Sequence, residues 1–391
     1  MPVLEDTHRA YILIAPSGHF ESHGDQNRLM QPRILYLIGQ LRLGGYERQL
    51  YYLLKAIDRQ RYRPAVAVWN AAQGTAFAEK IKALGVPLYT FSEHLAVHEK
   101  MMGLRRLVKA LAPEVVHSYS FYTNFPAWWC TLGTNMISIG SIRNNFLSDR
   151  QQAGNILGRL SARWPSIQIC NSLAAKQAVA EAAGPFKPSR LSVVPNGLDI
   201  QHFKATSDLP RTPQLLAVGR LYPQKRWDRL VEAVAQVHKR GLSFRVRHAG
   251  EGPLRQALEE QAKGLGVQHL IEFLGVRQDI PNLLAQSTFL VHTADEEGCP
   301  NVVMEAMACA RAVVATDAGH CPALVEHGKT GFVVKRGDEH NLADCIATLI
   351  EHPDLALTMG QTGRVKVEQE FGLNQLVDRT VRTYAEAGWK G

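Results

Sequence analysis

The sequence predicts an α/β protein built as two successive halves, and three observations carry that prediction. The chain is 391 residues long, enough for two domains that each bury a core. Short, almost wholly apolar runs alternate with stretches whose apolar residues recur every three or four positions. That is the pattern of strands buried on both faces and joined by amphipathic helices. The alternation breaks at the polar, proline-bearing segment 199–213 and then starts again.

Composition narrows the class. A hydrophobic fraction of 46% with 20% charged residues is ordinary for a water-soluble globular chain, and no apolar run approaches the roughly 18 residues of a membrane-spanning helix. Six cysteines lie scattered at 130, 170, 299, 309, 321 and 345 without CxxC spacing, so they read as reduced thiols of a cytoplasmic protein, neither a disulfide frame nor a zinc site. The net charge of +8 is uneven: residues 1–205 hold 23 Lys/Arg against 13 Asp/Glu, and residues 206–391 hold 21 against 23. The first half therefore suits an anionic membrane surface or a phosphate-bearing partner. Nucleic acid is not expected, because no basic run or nucleic-acid module occurs.

Taken in order, residues 1–32 form a polar lead read as a loosely ordered extension. Its one apolar run, Tyr11–Ala15, is too short and its start too acidic for a signal peptide. Arg33–Ile38 is the first strand. The turn Gly39–Gly45 follows, where Gly44–Gly45 lets a substrate come close to the backbone at a helix start; Tyr46, Leu50, Leu53, Leu54 and Ile57 mark that helix. Strands follow at Pro64–Trp69, Pro87–Phe91 and Glu114–Ser118, with helices near Thr75–Leu84 and around Leu104–Leu111. His117 lies near the carboxyl end of its strand, where ligands sit in open α/β sheets, although a lone histidine there serves packing as readily as chemistry. The aromatic cluster Phe121, Tyr122, Phe125, Trp128 and Trp129 reads as core, with an acceptor- or membrane-facing patch as the minority reading. Ile137–Ile142, Ile167–Asn171 and Leu191–Pro195 are further strands, and Arg143, Arg150, Arg159 and Arg163 read as solvated loop charges.

The second half opens with the strand Gln214–Val218 and the basic loop GRLYPQKR. Arg220 and Lys225 share that loop, and two cations at a strand's carboxyl end can clamp a diphosphate. Strands follow at Phe244–Ala249 and Ile271–Leu274. The stretch from Phe289 to Thr316 then reads as strand, acidic loop, helix and strand. Pro300 suits the first turn of that helix. Glu297 and Glu305 bracket the turn as Glu-x7-Glu, with the unsatisfied N–H groups of the helix start between them. Glu305 leans back towards the N-terminus and suits a ribose diol; Glu297 suits a sugar's hydroxyls. Gly331–Val334 is a late strand, and helices at Asn341–Ile350, Leu355–Gly360 and Leu373–Ala387 complete the chain. No DxD triplet occurs, so a metal-held diphosphate is not expected and no cofactor is called for.

Jointly, GGYER (44–48), VVHS (115–118), CNS (170–172), VVPNGLD (193–199), VGRLYPQK (218–225), HAGEGPLR (248–255), EGCPNVVMEAMAC (297–309) and VVATDAG (313–319) resemble, in the family's own order, the retaining glycosyltransferases of GT-B fold, family 4 or group 1. The resemblance runs over roughly residues 33–385. It implies two Rossmann-like domains facing across a cleft: an acceptor-side domain of residues 33–198 and 372–391, with the C-terminal helix returning to it; a linker at 199–213; and a nucleotide-sugar domain at 214–371. It also implies that Arg220 and Lys225 hold a diphosphate and Glu305 the ribose. The amides around Cys299, Asn301 and Val302 then cap the phosphates, and Gly45 borders them from the other domain. Glu297 and His117 are the catalytic candidates. The implied partners are a nucleotide sugar and a saccharide or polyprenyl-linked acceptor, in a cytoplasmic setting with peripheral attachment to the inner face of the membrane, in cell-surface glycan synthesis. Departures from the family pattern are Tyr119, where many members carry a second histidine, Arg226 and Ala310, where glycine is common, Ala312 in place of a common proline, and His320 in place of a second glycine. Tyr119 and His320 motivate the alternative of a catalytically weak, nucleotide-sugar-binding scaffold for a partner transferase.

Overall fold

The computed structural model describes residues 11–13, 31–42, 44–71 and 75–391, which divide into two compact units. The first comprises the residues up to Gly197 together with Leu373–Gly391, and the second is Leu198–Gly372.

The first unit holds an eight-stranded parallel sheet. Its strands are β1 (Tyr11–Leu13), β2 (Ile34–Ile38), β3 (Pro64–Ala71), β4 (Leu88–Ser92), β5 (Val115–Ser118), β6 (Ile137–Ile142), β7 (Ile167–Cys170) and β8 (Arg190–Val193), in the order β1-β4-β3-β2-β5-β6-β7-β8. β2 is buried at every position, as expected of a parallel strand covered on both faces. The expected loose lead is corrected at Tyr11–Leu13, which pairs with Leu88–Thr90; the rest of residues 1–30 lies outside the described residues. Tyr122 and Trp129 pack on the core formed by Leu35, Leu37, Leu104 and Leu107, and Trp128 stacks on Trp164 with ring centres 4.6 Å apart, so the aromatic cluster is packing. Among the helices not read in the sequence are Phe146–Gln152, Asn155–Arg163 and Leu173–Glu181. Two of them open on side-chain caps from Asn145 and Ser172, a common start signal.

The second unit holds a six-stranded parallel sheet of β9 (Gln214–Val218), β10 (Arg245–Ala249), β11 (Ile271–Gly275), β12 (Phe289–His292), β13 (Ala312–Thr316) and β14 (Gly331–Val334), in the order β11-β10-β9-β12-β13-β14. The helices Trp227–Lys239 and Glu339–Glu351 bury Trp227, Leu230, Val234, Leu342 and Ile346 in one core with these strands. The chain winds outward from β9 in one direction and from β12 in the other. The two central strands thus form a topological switch point, and the crevice beyond their carboxyl ends is where ligands bind in sheets of this kind.

The segment 199–213, expected as the interdomain linker, is fastened to the second unit. The wholly buried guanidinium of Arg311 donates to the carbonyls of Leu284 (3.1 Å), Ala285 (2.7 Å), Thr206 (3.1 Å) and Asp208 (2.8 Å), and Arg364 Nη1 donates to Phe203 O at 2.7 Å. Among the described residues no helix is long and apolar enough to cross a membrane.

Candidate functional site

Two loops leave the switch point of the second unit side by side. The loop after β9 ends in a 3-10 turn, Pro223–Lys225. The loop after β12 runs from Thr293 to Pro300 and enters the helix Asn301–Ala308, with Pro300 at the N-cap and not, as expected, inside the first turn. The loops are laced together: Thr293 Oγ1 donates to Lys225 O at 3.0 Å, and Asp295 N donates to Gln224 O at 2.9 Å. A third loop backs them. A Cβ on Gly250 would lie 1.9 Å from Gly219 O, so only glycine lets the chain after β10 pass this close. His248 stands edge-on to Trp227 at 4.6 Å beneath these turns; burial first, then Arg255, holds its imidazole at about 4, so it is neutral there. Trp227 Nε1 in turn donates to Arg220 O at 3.0 Å.

The centre of the arrangement is an ion pair between Lys225 Nζ and Glu297 Oε1. The Glu297 side chain is only 13% exposed. Burial alone would raise its carboxyl, but the Lys225 ammonium and the His292 imidazole outweigh it and hold the group at about 2. Around this pair lies a network that sequence reading missed. Asp295 accepts from Arg226 at 2.9 Å and from Arg229. Arg226 also grips Asp228 at 2.8 Å, Arg229 Nε lies 3.0 Å from Glu339, and Arg336 donates to Asp295 O at 3.0 Å. The legible signal was an acidic loop and a basic loop on strands that turn out to be neighbours. Arg226 achieves this from a left-handed backbone, φ 51°, which explains why glycine suits the position and what an arginine gains there.

Of the expected donor residues, Arg220, Lys225, Cys299, Asn301, Val302 and Glu305 all belong to this unit, as does Glu297. Arg220 is exposed on its loop and stacks over the Tyr222 ring at 5.1 Å; among the described residues it makes no ion pair. Cys299, Asn301 and Val302 sit at the helix entrance, where Pro300 supplies no side-chain cap, and Glu305 is buried within that helix.

Gly45 and His117 lie in the first unit. Gly45 opens the helix Gly45–Ala56 with Gly44 extended at its N-cap, at the β2–β5 switch point of that sheet. The catalytic expectation for His117 does not fit its surroundings. The ring is 0% exposed, its Nδ1 lies 2.7 Å from Tyr384 Oη and its Nε2 3.1 Å from Ser141 Oγ. Burial, then the Arg143 charge, holds it well below the usual histidine range. Nδ1 fastens the last helix to the sheet through Tyr384, and Nε2 ties β5 to Ser141 on the neighbouring strand β6. Tyr119 is equally buried, under the Arg143 guanidinium 3.7 Å from its ring centre, so Arg143 is a packed residue and not a solvated loop charge.

Two family models match the chain in succession: Glycosyltransferase Family 4 over residues 43–202 and Glycosyl transferases group 1 over residues 212–352. Curated relatives include the N-acetyl-alpha-D-glucosaminyl L-malate synthase of Bacillus anthracis, 26% identical over 44% of this chain and 44% of that protein. Another is the GDP-mannose-dependent alpha-(1-6)-phosphatidylinositol monomannoside mannosyltransferase of Mycobacterium tuberculosis (strain H37Rv), 29% identical over 49% of this chain and 54% of that one. The chain thus spans about half the length of the curated relatives it matches. Among solved structures, Anabaena HepE in complex with UDP superposes with a TM-score of 0.76 at 23% identity, covering 90% of this chain and 100% of that one. The lipopolysaccharide outer core galactosyltransferase WaaB superposes at 0.73 with 13% identity, covering 90% and 99%. At these identities the superpositions speak to the fold.

Proposed function

The chain belongs to the group 1 glycosyltransferases of two-domain GT-B architecture, and from that premise we propose that it moves a sugar from a nucleotide-diphosphate donor to a saccharide or lipid-linked acceptor, with retention of anomeric configuration. One observation carries the reading. Lys225 and Glu297 meet at the switch point of the second sheet, beside a helix start, so a cation, the positive end of a helix and a carboxylate converge where a diphosphate and its sugar need them.

On this reading the second unit holds the donor. Arg220 and Lys225 neutralise the diphosphate, the amides of Cys299, Asn301 and Val302 add hydrogen bonds, and Glu305 takes the ribose hydroxyls. As the glycosidic bond breaks, negative charge grows on the departing phosphate, and groups already fixed around it lower the barrier without reorganising. Glu297 contacts the transferred sugar. The acceptor hydroxyl attacks from the face the diphosphate leaves, and the departing phosphate takes its proton. The protein's share is charge stabilisation and alignment of the two substrates. The first unit, with Gly45 at its switch point, carries the acceptor, and its positive charge favours one presented on an anionic membrane in cell-surface glycan synthesis.

The test is release of UDP or GDP when purified protein meets UDP-glucose, UDP-N-acetylglucosamine or GDP-mannose together with polyprenyl-linked saccharides. Acceptor-dependent release that falls at least tenfold in Glu305→Ala supports the reading. Release unchanged by Glu305→Ala contradicts it.

A further inference from the structure

β12 ends in His292, a residue the sequence reading passed over as a strand terminus. It is 1% exposed, and its Nε2 lies 3.0 Å from Glu297 Oε1. Lys225 contacts the same oxygen, and among the described residues Glu297 Oε2 takes no hydrogen bond. One carboxylate oxygen is therefore bound by Lys225 and approached by His292 from a different element, with the other oxygen left for a substrate.

The two holders have unequal futures once a donor binds. Lys225 is one of the two cations proposed for the diphosphate, and a diphosphate draws an ammonium strongly. Glu297 must then share that ammonium with another anion or give it up. A carboxylate facing a like charge with its counter-ion withdrawn tends to swing away or take a proton. His292 is outside that competition: it sits on the strand and its ring stands edge-on to Trp227 at 6.3 Å. Neither ring nitrogen meets hydrogen-bond geometry with a protein partner, so no protein acceptor ties the ring's proton to Nδ1, and Nε2, already 3.0 Å from Oε1, needs only a small tilt of the ring to donate to the carboxylate. The Glu297 backbone is fixed from behind. Gly319, at φ 55°, packs so tightly that a Cβ there would lie 2.3 Å from Glu297 O, and His320 N donates to Gly298 O at 2.9 Å.

We propose that His292 is a positioning residue for Glu297, keeping the carboxylate ionised and aimed at the donor's sugar while Lys225 serves the diphosphate. The inference rests on the reading in which Glu297 meets the sugar, and it makes His292 a determinant of sugar binding and turnover and not of nucleotide binding.

That division sets the experiment. Wild type, His292→Leu, which fills the space without an N–H, and His292→Gln, which restores one, are compared by thermal shift with UDP and GDP alone and with UDP-glucose, UDP-N-acetylglucosamine and GDP-mannose. Turnover is measured at saturating donor. Should His292→Leu fail to fold, His292→Asn, whose amide is too short to reach Oε1, replaces it. The expected result is that His292→Leu responds to the bare nucleotide as wild type does, loses the additional shift given by the sugar, and turns over about 10- to 100-fold more slowly, the scale of one hydrogen bond to a charged group, with partial rescue by His292→Gln. Equal sugar responses in wild type and His292→Leu overturn the proposal, as does an equal loss of nucleotide and sugar responses, which marks a purely structural role. A wild type that responds to no nucleotide or nucleotide sugar overturns the donor-site reading itself, and the proposal with it.

Discussion

Replacing Glu297 by glutamine keeps the side chain's size and removes its charge, and the consequence follows from the carboxyl's surroundings. In the folded chain the group is held at about 2, against an ordinary value of 4.5, because the Lys225 and His292 contacts outweigh burial. The sign follows directly: a depressed folded value means stability that is present above about pH 4.5 and is lost as pH falls through about 2. At roughly 1.4 kcal/mol per unit, the ion pair contributes on the order of 3 kcal/mol to the second unit at pH 7, of which about 2 kcal/mol is already gone by pH 3. Glu297→Gln also leaves the Lys225 ammonium, 18% exposed, without its carboxylate. The assay is urea unfolding of both proteins from pH 7 to pH 3, read by pulsed hydrogen exchange of β12 and β13 peptides so that the second unit is followed alone. The gap between wild type and variant should hold nearly level from pH 7 to about pH 5 and close below that. A gap that stays constant across that range refutes the reasoning.

Three further outcomes follow from the same contacts. Arg226→Gly gives up ion pairs with half-exposed Asp228 and Asp295 but relieves a left-handed backbone; these terms are each about 1 kcal/mol, so its melting temperature should stay close to wild type while Arg226→Ala, which keeps the strain and loses the pairs, melts lower. Tyr384→Phe removes the hydroxyl 2.7 Å from buried His117 Nδ1 and should destabilise the first unit by about 1–3 kcal/mol in chemical denaturation, leaving UDP and GDP binding unchanged. The positive first half should make the protein float with anionic vesicles and not with neutral ones, an association that 0.5 M salt weakens; equal recovery from both vesicle types contradicts it.

The strands were the most legible part of the sequence. Parallel strands such as Ile137–Ile142, Gln214–Val218, Phe289–His292 and Gly331–Val334 are short, mostly apolar or small-residue runs with buried positions inside them, and they occur at the residues read from the chain. Helix ends were less legible. The helix read at Leu355–Gly360 runs from Pro353 to Glu370, and its Gly360 and Gly363 are where it packs against Ala310 O and Met307. In the site, the placement of Glu297 before a helix and Glu305 within it was readable from spacing. The partners of Glu297 were not, since Lys225 and His292 approach it from strands whose adjacency is a property of sheet order and leaves no mark on local sequence. His117 misled for a related reason. Its position at a strand's carboxyl end was read correctly, but the tyrosine that covers it comes from 267 residues further along the chain.

The central claim is that the loops after β9 and β12 form a nucleotide site, and calorimetric titration of the purified protein with UDP and with GDP tests it most directly. One of the two should bind, and Lys225→Met and Glu305→Ala should each weaken that binding at least tenfold. Absence of binding by either nucleotide, or affinity untouched by both substitutions, contradicts the account.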